Sequence, residues 1–292
     1  MKAETLRALL ARPGCHVMPC CFDALSAKLI EQEGFGVTFM SGFALSAARI
    51  GQPDLGLMSY GEVAQAVGEI TAATSLPLIA DGDTGYGNAM NVRRTIAGLA
   101  RAGAACVMIE DQLAPKRCGH VAGKAVVGRD EALDRIRAAC DERDALAAAG
   151  TDVLILARTD ARHEHGLGEA MARAEAFAEI GADILFVEAP RDEAEMREVG
   201  GAFGKPHMAN LVDGGLTPDI PVDELGEMGF GLAAYPLTLL GAAMQAMIGS
   251  LRAMKGGQAE RGAMDFAQLK RRIGFEDYEA ASSAYSSGMR AP

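Results

Sequence analysis

Short apolar runs alternate with longer amphipathic stretches along most of the chain. Residues 17–20, 36–40, 76–80, 105–109, 152–157, 183–187, 207–209 and 231–234 form eight such runs, which read as buried strands. The intervening stretches predict helices over 23–33, 59–74, from about 88 to 102, and over 130–149, 169–180, 193–199, 221–228 and 237–255. Asp23 is placed to cap the first of these, and Gly34 ends it. Strand and helix in strict alternation imply parallel strands, and eight repeats point to a closed (β/α)₈ TIM-type barrel rather than an open doubly wound sheet. Polar residues fall in a pattern that favours closure. Ser41, Asp81, Glu110, Arg158, Glu188 and Asn210 each follow a different apolar run, and the C-terminal ends of barrel strands converge on one mouth. The expected organisation is a catalytic barrel over 1–255, then a helical tail over 256–292 with few apolar residues of its own, packing on a neighbouring subunit.

Composition limits the partners. With 292 residues, 49% hydrophobic and 23% charged, the chain has ample material for a core. A formal net charge of -11 without a long Lys/Arg block argues against nucleic acid and anionic membranes. An anionic substrate would then need local cations. The six cysteines show no paired ligand spacing, as suits a reducing cytosol. The N-terminal residues lack an apolar signal core, and the apolar stretch at 237–247 is too short to span a bilayer, so a soluble cytoplasmic protein is expected.

Chemistry concentrates in two stretches. In Asp81-Gly82-Asp83, two carboxylates stand just past a strand among glycines that allow tight turning. Hard oxygens suit Mg²⁺ or Mn²⁺, with Asp54 and Glu110 in support, although an Asp-Gly turn alone is the competing reading. In IEDQLAPKRCGH, residues 109–120, Cys118 lies among Lys116, Arg117 and His120 beside Gly119, a setting that favours thiolate; a buried cysteine in a charged loop is the alternative. Arg158 can clamp a carboxylate or pair with Glu188 or Asp160. Ser41, Gly42 and Phe43 can offer a hydroxyl and backbone N–H groups to an anion, or be a simple turn. His120 could orient the cysteine loop, and His16, His163, His165 and His207 form no ligand pattern.

Read together, DGDTGYGNAMNVRRT, IEDQLAPKRCGHVAGKAVV, ILARTDAR and MANLVDGGLTP resemble the isocitrate lyase and phosphoenolpyruvate mutase superfamily. The resemblance spans nearly the whole chain. It is to the lyase branch, with its D-x-D strand end and K-[KR]-C-G-H loop, and within it to lyases of substituted malates such as 2,3-dimethylmalate. It implies a Mg²⁺-dependent barrel, usually a homotetramer, with the eighth helix exchanged between subunits. It also implies that Ser41, Gly42 and Phe43 hold a 2-oxoacid carboxylate, that Asp81 and Asp83 serve the metal, and that Asp54 and Glu110 stand behind them. Arg158, Glu188 and Asn210 would surround the substrate, and Cys118, Gly119 and His120 would ride on a gating loop from which Cys118 protonates the product. The implied activity is retro-aldol cleavage of a 2-hydroxy dicarboxylate into a 2-oxoacid and a carboxylate. Oxaloacetate hydrolase, methylisocitrate lyase and phosphonomutase activities are the enzymatic alternatives, and a non-catalytic binding barrel is the other class. Methylisocitrate lyases typically place arginines where this chain has Gly241 and about Ala267, which favours a smaller and more apolar substituent.

Overall fold

The computed structural model describes residues 1–116, 123, 125–257, 264–283 and 285. In chain order the elements are α1 (Lys2–Leu10), β1 (His16–Cys21), α2 (Ala24–Gln32), β2 (Thr38–Met40), α3 (Gly42–Ile50), α4 (Tyr60–Ala73), β3 (Leu78–Asp81) and α5 (Ala89–Arg101). There follow β4 (Cys106–Glu110), α6 (Arg129–Ala148), β5 (Leu154–Thr159), α7 (Arg162–His165), α8 (Leu167–Ile180), β6 (Ile184–Val187) and α9 (Glu193–Val199). The last are β7 (His207–Asn210), α10 (Val222–Glu227), β8 (Phe230–Tyr235), α11 (Thr238–Lys255), α12 (Phe266–Ile273) and α13 (Phe275–Ser283). The eight strands form a closed barrel in sequence order, β1 pairing with β8, and every pairing is parallel. The expected (β/α)₈ architecture is the one observed.

Strand periodicity determines which residues reach the mouth. Successive side chains point to opposite faces of a strand, so alternate residues line the interior. Met18, Cys20, Phe39, Ile79, Cys106, Met108, Leu154, Leu156, Ile184, Phe186, Met208, Leu232 and Ala234 form one buried interior cluster, which Ala3 and Leu6 of α1 join. Val107, Ile109, Ile155, Ala157 and Leu185 belong instead to the layer shared with the helices. Continuing the inward series by two residues gives Ser41 after Phe39, Asp81 after Ile79, Glu110 after Met108, Arg158 after Leu156, Glu188 after Phe186 and Asn210 after Met208. The apolar interior thus ends in a polar rim at the C-terminal mouth.

Local capping agrees with the sequence at several helix starts. Asp23 accepts from Ser26 N at 2.6 Å, Ser59 starts α4 with Glu62 reaching back to its backbone, and Asn88 caps α5. The clearest addition is α3: Ser41, expected as the end of a strand and the start of a loop, also caps a helix by accepting from Ala44 N at 3.2 Å. The chain divides into two compact units, Met1–Gly241, which holds the barrel, and Ala242–Pro292, which holds most of α11 with α12 and α13. Among the described residues, α12 and α13 contain no buried side chain, and no helix is long and apolar enough to cross a membrane.

Candidate active site

Asp81 is the last residue of β3, and Asp83 follows in a turn with φ 48°. The turn is fastened to β4: Gly82 N donates to Met108 O at 2.9 Å, and Glu110 N donates to Asp83 O at 3.0 Å. A Cβ on Gly82 would lie 2.5 Å from Met108 O, so only glycine permits this approach. Asp83 N donates to Asp81 Oδ1 at 3.0 Å, which orients the first carboxylate. Beyond the neighbouring strand β2, Gly42 at the start of α3 makes room for the second oxygen, since a Cβ there would lie 2.5 Å from Asp81 Oδ2. The Asp-Gly turn reading is therefore accurate as local geometry, and the turn presents Asp81 to the cavity and Asp83 to Lys116.

Lys116 belongs to this cluster. Its Nζ lies 2.8 Å from Asp54 Oδ2 and 2.7 Å from Asp83 Oδ1. Burial alone would lower the Lys116 pKa, but the carboxylates of Asp83, Asp81, Asp54 and Glu110 outweigh it and hold the ammonium well above its ordinary value. Asp83 is pushed up to about 6, first by burial and then by the balance between Lys116 and the neighbouring Asp81 and Asp54. Charge along the sequence associates Lys116 with the cysteine; the fold turns its side chain to the aspartates instead.

Arg158, at the inward position near the end of β5, makes the pairing with Asp160 and Glu188 that its sequence offered beside a clamp on a ligand carboxylate. Its Nε lies 2.8 Å from Asp160 Oδ2 and 3.3 Å from Glu110 Oε2, and its Nη2 lies 3.0 Å from Asp160 Oδ1 and 3.1 Å from Glu188 Oε2. Its Cζ lies 5.0 Å from the Phe186 ring centroid, so the guanidinium rests on an aromatic floor. Burial opposes its charge, yet Asp160, Glu188 and Glu110 raise its pKa well above the ordinary value. Asn210 Nδ2 donates to Glu188 Oε2 at 3.2 Å. Glu110 is buried with Oε1 lacking any hydrogen-bond partner, and burial pushes its pKa well up against the pull of Arg158.

The residue next to Glu110 faces the other way. Asp111 accepts from Thr159 Oγ1 at 2.6 Å and from Asp160 N at 2.9 Å, and it pairs with Arg173 Nη1 at 2.9 Å. This ties β4, β5 and α8 together behind the site. Arg135 Nη1 donates to Gln112 O at 2.8 Å and to Glu110 O at 3.2 Å, fixing the strand end from α6.

One cavity is lined by Ser41, Gly42, Phe43, Asp54, Asp81, Glu110, Lys116, Arg158, Glu188 and Asn210. Asp83 touches this group through Lys116. Cys118, Gly119 and His120 lie outside the described residues. Sequence reasoning did not assign a site role to Lys116, Asp160 or Phe186. For Asp160 and Phe186 the two-residue strand period would have flagged one and the proximity to Arg158 the other.

The donor set fits a divalent cation of the magnesium type. Among the described residues no three His, Cys, Asp or Glu side chains close into a cage. A hard cation that keeps several waters needs only one or two carboxylates, which Asp81 and Asp83 supply. Gly42 leaves the space beside Asp81 that a Cβ would fill, and the unpartnered Glu110 Oε1 is an acceptor suited to a bound water.

The profile of the family described as phosphoenolpyruvate phosphomutase matches residues 6–255. The chain belongs to the phosphoenolpyruvate mutase/isocitrate lyase superfamily. It is 37% identical over 290 residues to the 2,3-dimethylmalate lyase of Eubacterium barkeri, covering 98% of this chain and 99% of that one. It is 41% identical over 276 residues to the chloroplastic carboxyvinyl-carboxyphosphonate phosphorylmutase of Arabidopsis thaliana, covering 93% of this chain and 78% of that one. Among solved structures, an oxaloacetate acetylhydrolase in complex with 3,3-difluorooxalacetate superposes with a TM-score of 0.93 at 33% identity, covering 99% of this chain and 98% of that one. The superfamily member described here is an enzyme, and its lyase-named relatives place it with the carbon–carbon lyases.

Proposed function

We propose that this enzyme cleaves the C2–C3 bond of a substituted malate of the 2,3-dimethylmalate kind, giving a 2-oxoacid and a carboxylate. The observation that carries this reading is the two-sided mouth. One side holds Asp81, with Asp83 joined to it through Lys116, and Arg158, while Met208, Val212, Pro236 and Leu237 line the same cavity with apolar surface. That division suits a dicarboxylate bearing alkyl groups better than one bearing a third carboxylate. Gly241, where methylisocitrate lyases typically have an arginine, adds no cation.

Mg²⁺, with Mn²⁺ as a substitute, would be held by Asp81 and Asp83 with Asp54 and Glu110 behind them. Bound there, it would lower the pKa of the substrate hydroxyl and offset the charge of the adjacent carboxylate. The start of α3, with the Gly42 and Phe43 backbone and Ser41, would receive the 2-oxoacid carboxylate. Arg158 would steady charge developing at the cleaved bond, kept in place by Asp160 and Phe186. Glu188, oriented by Asn210, would set the position of the guanidinium. As the C2–C3 electron pair passes to C3, Cys118 would deliver a proton there, with Gly119 and His120 shaping its loop. The same reading makes the protein a cytoplasmic homotetramer whose helices after the barrel are exchanged between subunits.

The test is incubation with Mg²⁺ and, separately, 2,3-dimethylmalate, methylisocitrate, oxaloacetate and phosphonopyruvate, with release of 2-oxoacid or oxalate measured for the first three and conversion to phosphoenolpyruvate or pyruvate for the last. Cleavage of the dimethylmalate is expected, with methylisocitrate turned over at least about tenfold more slowly because Gly241 offers its third carboxylate no arginine. Cys118→Ser is expected to bind pyruvate but lose turnover. Turnover of none of the four by the native enzyme would sink the reading. Oxalate from oxaloacetate, without cleavage of the dimethylmalate, would move the assignment to the hydrolase, which the acetylhydrolase superposition supports as the second reading.

A further inference from the structure

The acidic pair on which the metal assignment rests already has a cation in contact with it. Lys116 Nζ bridges Asp54 Oδ2 at 2.8 Å and Asp83 Oδ1 at 2.7 Å. The Cβ position of Gly42 is 2.5 Å from Asp81 Oδ2 and 3.3 Å from Lys116 Nζ, so the ammonium that holds Asp83 also borders the space beside the Asp81 carboxylate. The lysine is brought there by a packed backbone. A Cβ on Gly56 would meet Lys116 N at 3.3 Å and Pro115 Cβ at 3.4 Å, which sets the 53–57 loop directly against the segment carrying Lys116. Lys116 is buried, as are Asp81 and Asp83, so solvent screens their interactions little.

We propose that Lys116 is an internal competitor for the divalent-cation site: the ammonium and the metal ion share the Asp54, Asp81 and Asp83 carboxylates, and metal uptake displaces Lys116 Nζ from the bridge between Asp54 and Asp83. This rests on the metal-binding reading above and extends it from which residues bind the cation to what the cation must move. Two observations support competition over simultaneous binding. Both lysine contacts are short, so the carboxylate oxygens facing that space are already engaged by a donor. A doubly charged ion within a few ångströms of a buried ammonium would also repel it with little screening. Displacement would leave Lys116 as a mobile cation at the mouth, available to an anionic substrate only after the metal has entered. The metal affinity of the protein would then be set partly by the strength of the Lys116 bridge.

The first experiment measures Mn²⁺ binding by electron paramagnetic resonance and calorimetry in the full-length native protein, Lys116→Met and Lys116→Arg. Competition predicts that Lys116→Met, which keeps the length without the charge, binds Mn²⁺ about tenfold more tightly or better, and that Lys116→Arg stays near the native affinity or below it. Equal or weaker binding by Lys116→Met overturns the proposal. The second experiment needs no substitution: the native protein is pulse-labelled with an amine-acylating reagent with and without saturating Mn²⁺, and the modification of Lys116 is read by peptide mass spectrometry. Faster labelling with Mn²⁺ is expected, and unchanged or slower labelling overturns displacement even if Lys116→Met does not fold. Native protein that takes up no Mn²⁺ defeats the metal reading itself. Uptake that is equal with and without the lysine charge defeats only this inference.

Discussion

A methyl group on Gly42 would come within 2.5 Å of Asp81 Oδ2, yet the backbone of Gly42 is not in the left-handed region and alanine is a good helix former. The obstacle to Gly42→Ala is therefore space at the site and nothing in the fold of α3. We expect Gly42→Ala to lower kcat/KM by about 100-fold through displacement of the Asp81 carboxylate. Its melting temperature should stay within a few degrees of the native value. Steady-state kinetics and thermal unfolding on the same preparation check this, and a large stability loss would reassign Gly42 to the scaffold. At this scale the sequence was partly legible. Asp81, Glu110, Arg158, Glu188 and Asn210 could be named because each follows an apolar run. Lys116 could not be placed, because it sits on an irregular segment whose partners Asp54 and Asp83 come from two other loops. Nothing in local spacing links them.

At the scale of elements, the alternation of runs was enough to predict eight strands, and their two-residue period predicts which side chains turn inward. Glu110 and Asp111 are adjacent carboxylates at the end of one apolar run, and the same period sends them to opposite faces. In the barrel they part company, Glu110 to the mouth and Asp111 to Thr159 and Arg173. Helix α3 was missed for a related reason: Ser41 ends a strand and caps a helix with no loop between, so the turn signal hid the helix signal. His207 shows how an element can carry a pH dependence away from the site. It is the first residue of β7 and is fully buried, with Nε2 3.1 Å from Ala202 O and Nδ1 unpartnered. Burial lowers its pKa to about 4, against the partial support of the Ala202 carbonyl. Between that value and the ordinary histidine pKa only the unfolded chain holds the proton, so stability is full above about pH 6.5 and falls as pH drops towards 4, by at most about 3 kcal/mol. Denaturant titrations across that range should show the loss in the native protein and a flatter profile in His207→Leu. Parallel profiles would rule His207 out as the cause.

The whole molecule has an uneven surface. Met247, Leu251 and Met254 of α11, Phe266, Leu269 and Ile273 of α12, and Phe275 and Tyr278 of α13 are all exposed in the single chain. Apolar residues of this size on successive helices signal a surface meant to be covered. On the proposal that other subunits cover it, analytical ultracentrifugation should find a tetramer at micromolar concentration, and Leu251→Glu combined with Met254→Glu should yield smaller species. A monomeric native protein would refute it. In the sequence the tail was expected to pack on a neighbour because it has few apolar residues of its own; the large apolar side chains it leaves exposed could be named only once the helices were seen. The β4 strand end has a consequence for how such an enzyme can change over evolution. A mouth-facing carboxylate and a scaffold carboxylate occupy neighbouring codons, and a one-residue slip of the strand would exchange their faces. Insertions and deletions are thereby barred from the barrel wall at that point, and new substrate preferences must arise in the connecting loops, where length can vary without turning Glu110 away from the mouth.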